Sequence, residues 1–206
     1  MKPWKDWFFQ AVDLTVSSLT IACVYAITGY FGLLLAVPPG YASAIWPPAG
    51  IALASVLIYG SRTLPGIFLG SFLINLYITL QNGQFDLMPS TLIIASLIGV
   101  GALLQAYGGK HLIHAVLGKH NSLYYPRDIL LFALLSGPIS CLINSTSSIF
   151  WLYEFDVIPF KNILLSWSTW WIGDSISVLI FTPITLILLA KPRSIWRPRT
   201  SFVLIP

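Results

Sequence analysis

Asp174 is the residue of this chain best placed to do chemistry, because it lies inside a long apolar run, Asn162 to Ala190, with Trp167, Trp170 or Trp171, and Ser177 at helical spacing around it. That spacing aligns indoles and a carboxyl group along one stripe. At 1.5 Å per residue the acid sits about 18 Å from the Asn162 end, close to mid-bilayer. An aspartate there costs about 2.5–3.5 kcal/mol to insert, and each Leu, Ile, Val or Phe of the run returns about 0.3–0.6 kcal/mol. The run inserts regardless, so insertion alone demands no partner for the acid. Two readings stand. In one, Asp174 lines a pocket and meets a cation, a proton or a hydrogen-bonding ligand, with the tryptophans as walls or cation–π faces. In the other, a protonated Asp174 bonds to a neighbouring helix and the tryptophans are packing or interfacial anchors.

Asn75, Gln105, and Asn144 with Ser145 and Thr146 are further polar groups inside apolar runs. Each either reaches the same region or bridges two helices, a contact worth about 0.6–2 kcal/mol. The candidate ligand-binding set is therefore Trp46, Asn75, Asn144, Trp167, Trp170, Trp171 and Asp174. No catalytic set assembles. Asp174 is the one clearly intramembrane carboxylate, no histidine lies at its depth, and the run Ser145 to Ser148 has no evident base, so no enzyme activity is expected. His111 and His114, with His120 as a third, read as solvated interfacial histidines in preference to a metal site, and neither metal nor cofactor is expected. Cys23 and Cys141 read as small apolar packing residues.

The elements that must position these groups follow from composition. Of 206 residues, 56% are hydrophobic and 9% charged, against about a quarter charged in soluble domains. With a mean hydropathy of +0.81 this is an all-α, polytopic membrane protein. The net charge of +4 arises from basic residues scattered singly between apolar runs, which excludes a nucleic-acid face. Apolar runs predict six spans at about 11–36, 46–59, 64–80, 89–107, 129–153 and 162–190. Pro38-Pro39-Gly40, Gly60-Ser61-Arg62, Asn82-Gly83, Lys110 to Asp128 and Glu154 to Pro159 are the breaks. The first run is too long for the core of a cleaved signal peptide, although Lys2, Lys5 and Ala42-Ser43-Ala44 resemble one.

The second run is short and opens on Pro47-Pro48, so a re-entrant half-helix is the alternative to a crossing. Charge bias favours crossing. With both termini cytoplasmic, all eleven Lys and Arg except Lys161 fall inside, and Asp86, Glu154 and Asp156 face outward. Lys110 to Lys119 reads as an amphipathic continuation lying at the inner leaflet. Gly66 and Gly70 form a small-xxx-small pair, while Gly137-Pro138 and Pro183 are expected to kink the fifth and sixth spans. One membrane domain fills 1–206, with 191–206 as a basic cytoplasmic tail or the start of a truncated continuation.

Three stretches together resemble the bacterial membrane-associated sensor family known as MASE-one: Trp46-Pro47-Pro48-Ala49-Gly50 through Ala54; Arg62 and Leu64-Pro65-Gly66-Ile67 through Ser71 to Asn75; and Trp170-Trp171-Ile172-Gly173-Asp174 followed by Leu179 and Pro183. The family often carries a glycine at Ser177. The resemblance implies a multi-pass input domain of the bacterial inner membrane, relaying through its last span to a histidine kinase or cyclic-dinucleotide enzyme absent from this chain. Its implied partners are the lipid bilayer, a small-molecule ligand or membrane protein, a cytoplasmic output domain in cis or trans and, by analogy with those outputs, a second copy in a homodimer; nucleic acid is not among them. The alternative function is a membrane-embedded substrate-binding or transport subunit for a small solute.

Overall fold

The computed structural model describes residues 3–35, 43–81, 89–118 and 125–189, and the elements among them are all helical. They are α1 (Pro3–Leu33), α2 (Pro47–Tyr59), α3 (Leu64–Gln81), α4 (Pro89–Leu117), α5 (Pro126–Leu134), α6 (Ser140–Glu154) and α7 (Ile163–Leu189). Tight 3-10 turns at Gly60–Thr63 and Phe160–Asn162 lead into α3 and α7, and a π-helical turn at Leu135–Ile139 joins α5 to α6.

Five helical stretches are long and apolar enough to cross a membrane: Leu14–Leu33, Pro47–Gln81, Pro89–Leu117, Pro126–Glu154 and Phe160–Leu189. Their surface matches a lipid solvent. On α7, Leu164, Leu165, Ile172, Ile176, Leu179, Ile180, Ile184 and Ile187 are exposed, while Ser175, Ser177, Thr182 and Asp174 are buried. A water-soluble bundle has the opposite distribution. The buried side chains between helices are small, with Ser55, Ser71, Ser136, Ser140, Ser145 and Ser148 among them. Small residues let helix backbones approach where lipid supplies no hydrophobic drive.

Glycine approaches fix the direction of each helix. A methyl group on Gly66 would collide with the Ser18 carbonyl and one on Gly70 would meet Tyr25 Cβ at 2.6 Å, while Gly29 faces Ile74. Sequence number rises together along α1 and α3, so these helices run parallel and the Gly66/Gly70 pair forms their crossing. Trp46, just before α2, lies against Gly29 and Gly32 near the end of α1, whereas Ser18 Oγ donates to the Arg62 carbonyl just after α2. Pro47–Gln81 is therefore two antiparallel helices that reverse at Gly60, whose φ of +78° with open space around its Cβ calls for glycine by backbone conformation alone.

The remaining directions follow in the same way. Gly101 faces Asn144 and Ser147, Gly108 faces Ile143 and Gly109 faces Ser140, so α4 and α6 are antiparallel. Gly50 faces the Ser177 carbonyl and Thr182 N, and with Trp46 bonded to Ser177 and Gly50 to Thr182 sequence number rises together along α2 and α7, which are parallel neighbours. Thr146 bonds to Trp167 and Pro138 to Trp171, so the α5–α6 segment and α7 are antiparallel, and the described helices alternate in direction from α1 to α7 with α5, the π turn and α6 acting as one segment.

The segment from Lys110 is a continuation, as its pattern predicts: α4 runs unbroken to Leu117, Ile113 is buried, and Leu112 and Leu117 pack on the cluster of Leu53, Cys141 and Val178. Pro183 lies inside α7 without ending it, whereas Gly137-Pro138 falls in the π turn. The turns predicted at Pro38-Pro39-Gly40 and Asn82-Gly83, together with Asp86, Lys119, His120 and the tail from Lys191, lie outside the described residues.

Candidate functional site

The indoles of α7 divide between two directions because each residue turns the helix by about 100°. Trp167 and Trp171, one turn apart, stack with centroids 5.7 Å apart and planes 12° from parallel. Both point at the α5–α6 segment: Trp167 Nε1 donates to Thr146 Oγ1 at 3.1 Å, and Trp171 Nε1 to the Pro138 carbonyl at 2.8 Å. That carbonyl belongs to the π turn, so an α7 indole is tied to the irregular part of the neighbouring segment. Trp170, about 100° round the helix from Trp171 and one turn before Asp174, packs on the cluster of Ile98, Ile149, Leu152 and Ile158, which Trp167 also touches, and comes within reach of the Asp174 carboxyl.

Asp174 is 1% exposed. Asn144 of α6 donates from Nδ2 to Asp174 Oδ2 at 3.4 Å, and Asn144 Oδ1 in turn accepts from Ser148 Oγ at 2.9 Å. Gly101 of α4 makes room for that amide, since a methyl there would stand 2.5 Å from Asn144 Oδ1. Gln105, one turn further along α4, also reaches the Asp174 carboxyl. The acid is therefore held from α4, α6 and its own helix, by neutral groups only.

Four buried polar atoms in this part of the bundle have no hydrogen-bond partner: Asp174 Oδ1, Gln105 Oε1, Ser136 Oγ and Ser175 Oγ. A buried polar atom left unpaired costs about 1–3 kcal/mol, so each such atom among the described residues calls for an explanation.

A non-helical strap crosses α7 beside the site. Ser43 to Trp46 connects to α2 with its polar groups satisfied inside the protein, as irregular backbone at membrane depth requires. Ser43 Oγ lies 2.7 Å from the Gly32 carbonyl oxygen and 2.8 Å from that of Ile45, its one hydrogen serving either acceptor. The Ser43 carbonyl sits directly on Gly173, where any side chain would collide with it. Trp46 N–H donates to Ser177 Oγ at 2.5 Å, and Thr182 Oγ1 to the Gly50 carbonyl at 2.9 Å. The strap therefore grips α7 on both sides of Asp174.

Of the candidate residues, Asn144 and Trp170 adjoin Asp174, Trp46 bonds by its backbone N–H to Ser177 three residues on, and Trp167 and Trp171 face α6. Asn75 does not reach the acid. Its amide donates to Ser71 O and Oγ at 2.8 and 3.4 Å one turn back on α3. Sequence reasoning missed Tyr25, a buried α1 side chain that contacts Trp46 and Ser71 and lies within electrostatic reach of Asp174. A tyrosine in an apolar run carries no signal that separates such a role from interfacial anchoring. Gln105 was visible as an intramembrane amide, but nothing in its spacing assigned it to Asp174. Among the described residues no group of His, Cys, Asp and Glu could hold a metal ion.

This combination defines a class, a multi-pass membrane protein whose small-residue helix packing encloses an acid with an unpaired oxygen. The family model for MASE1 matches residues 17–201, and the chain belongs to that family, a membrane-associated sensory domain of signal transduction proteins. Comparison with curated proteins and with solved structures gave no match.

Proposed function

We propose that this chain is the sensory input domain of a bacterial inner-membrane signalling protein, and that the signal is received at Asp174 and relayed by α7 to a cytoplasmic output in cis or trans. The observation that carries this reading is the Asp174 carboxyl, buried with one oxygen unpaired and reached from α4, α6 and α7 together. A change in what it binds alters packing between three helices. For that change to switch an output, the two arrangements must bind the signal with different affinity. The π turn beside it supplies a place to bend, as π turns inside helices often mark functional positions.

The proposed topology is six crossings with both ends cytoplasmic, α2 being a short crossing of about 20 Å at 1.5 Å per residue. The alternating helix directions support it, and so does the clustering of basic residues on one side.

The test places the domain ahead of a heterologous histidine-kinase output and compares the parent with Asp174→Asn. The variant is expected to lock reporter output in one state while membrane abundance stays unchanged. Parental output from Asp174→Asn, combined with loss of solute uptake, would instead support a transport subunit.

A further inference from the structure

We infer that the ligand of the Asp174 site is a proton: Asp174 is held as a neutral acid whose Oδ1–H is donated to Gln105 Oε1, and the strap Ser43–Trp46 governs its exchange with solvent. This deepens the sensory reading by naming what its site binds.

The unpaired atoms carry the argument. Asp174 Oδ1 and Gln105 Oε1 are both acceptors, both buried and both without a donor, and they belong to side chains that touch. A single proton added to Oδ1 turns one acceptor into a donor and satisfies both at once. The Gln105 amide suits either state. Its nitrogen and oxygen exchange places by rotation about the last side-chain bond, so it donates to a carboxylate and accepts from an acid. Binding forms one O–H bond from a solvent proton, and release returns that proton to water.

A larger ligand is disfavoured by the same geometry. At 1% exposure Asp174 has no room beside it for a larger ligand, whereas a proton needs no volume. A metal cation would need several convergent oxygens with a net negative charge around it, and the groups about Asp174 are neutral amides and an indole. An ionised Asp174 with no bound cation would be an uncompensated buried charge, which proteins neutralise.

The other titratable groups facing the acid leave the proton with it. Tyr25 comes from α1 and Cys141 from α6, and both lie within electrostatic reach of it. A phenol and a thiol are ordinarily neutral where a carboxyl group titrates. α2 carries Tyr59 only at its far end, the π turn carries none, and α4 brings Tyr107, Lys110, His111 and His114 only beyond Gln105.

Exchange is where the strap enters. The Ser43 carbonyl rests on Gly173 and the Trp46 N–H on Ser177, the positions one before and three after the acid. Lifting the strap frees α7 on both sides of Asp174 without unfolding a helix.

The experiment is isotope-edited infrared spectroscopy of the full chain in lipid bilayers with labelled aspartate, read at neutral pH and after transfer to heavy water. The parent is expected to show a protonated-carboxyl C=O band that disappears in Asp174→Asn, shifts in Gln105→Leu, and moves slowly on deuteration. Gly173→Ala, which pushes the strap away, is expected to speed deuteration at least tenfold. Ser177→Ala removes the other strap contact in case the first variant does not fold. Absence of the acid band in folded parent protein overturns the proposal, as does stabilisation by sodium over choline that Asp174→Asn abolishes. Deuteration unchanged in both strap variants likewise overturns the role of the strap. None of these readings needs an output domain, so their failure leaves the sensory reading intact, and a silent reporter leaves the proton site intact.

Discussion

Asn144 has the most exacting position of any single residue near the acid, because its amide is committed at both ends, donating to Asp174 and accepting from Ser148. Asn144→Leu leaves both partners unsatisfied and is expected to lower stability by about 1–3 kcal/mol, read as a fall in Tm in detergent. Asn75→Leu breaks only bonds within its own helix and is expected to cost less than about 1 kcal/mol. The same contrast explains what was legible at this scale. Asp174 announces itself by type, since few ionisable residues occur at such depth. The partnership of Gln105 does not, because helical periodicity places a residue on a face and leaves open which neighbour that face meets. The tryptophans show the coarseness of a stripe, as Trp170 and Trp171 are adjacent in sequence yet serve different neighbours.

Among the elements, glycines separate into two physical kinds. Gly66 is needed for space, since its missing side chain is where the Ser18 carbonyl lies, and Gly66→Ala is expected to force α1 and α3 apart at a cost of about 1–3 kcal/mol. Gly60 is needed for its φ of +78° in open surroundings, so Gly60→Ala is expected to cost about 1–2 kcal/mol of backbone strain without moving any helix. Thermal unfolding measures both losses, and disulfide trapping between α1 and α3 reports displacement in the first variant alone. Trp171→Phe keeps the aromatic stack and loses the bond to the Pro138 carbonyl. It is expected to cost about 0.6–1.7 kcal/mol. Most element boundaries were legible because prolines and glycines punctuate apolar runs. The amphipathic continuation of α4 was legible too, but the burial of Ile113 against Leu53, Cys141 and Val178 was not, since a helical pattern marks a face without naming what it meets.

For the whole molecule, the distribution of polarity is the informative feature, with apolar side chains outward and serines inward. Ile180→Arg, on the exposed face of α7, is expected to reduce insertion by about 2.5–3.5 kcal/mol, measured as lost membrane abundance. Reporter fusions at Arg62 and Lys161 are expected to fall on opposite sides of the membrane, and a common side for both would remove the six-crossing topology. Composition made the class legible, but the neighbours of each helix were not, because lipid-facing and protein-facing sides are nearly equally apolar. One such neighbour relation bears on how force travels. α2 and α7 lie side by side in the same direction, pinned by Trp46 to Ser177 and by Thr182 to Gly50. Two pins about five residues apart along α7 set its register against α2, so α7 cannot slide like a piston while they hold. It moves as a two-helix lever whose stroke is a tilt or a roll, and the reversal at Gly60 is carried along with its far end.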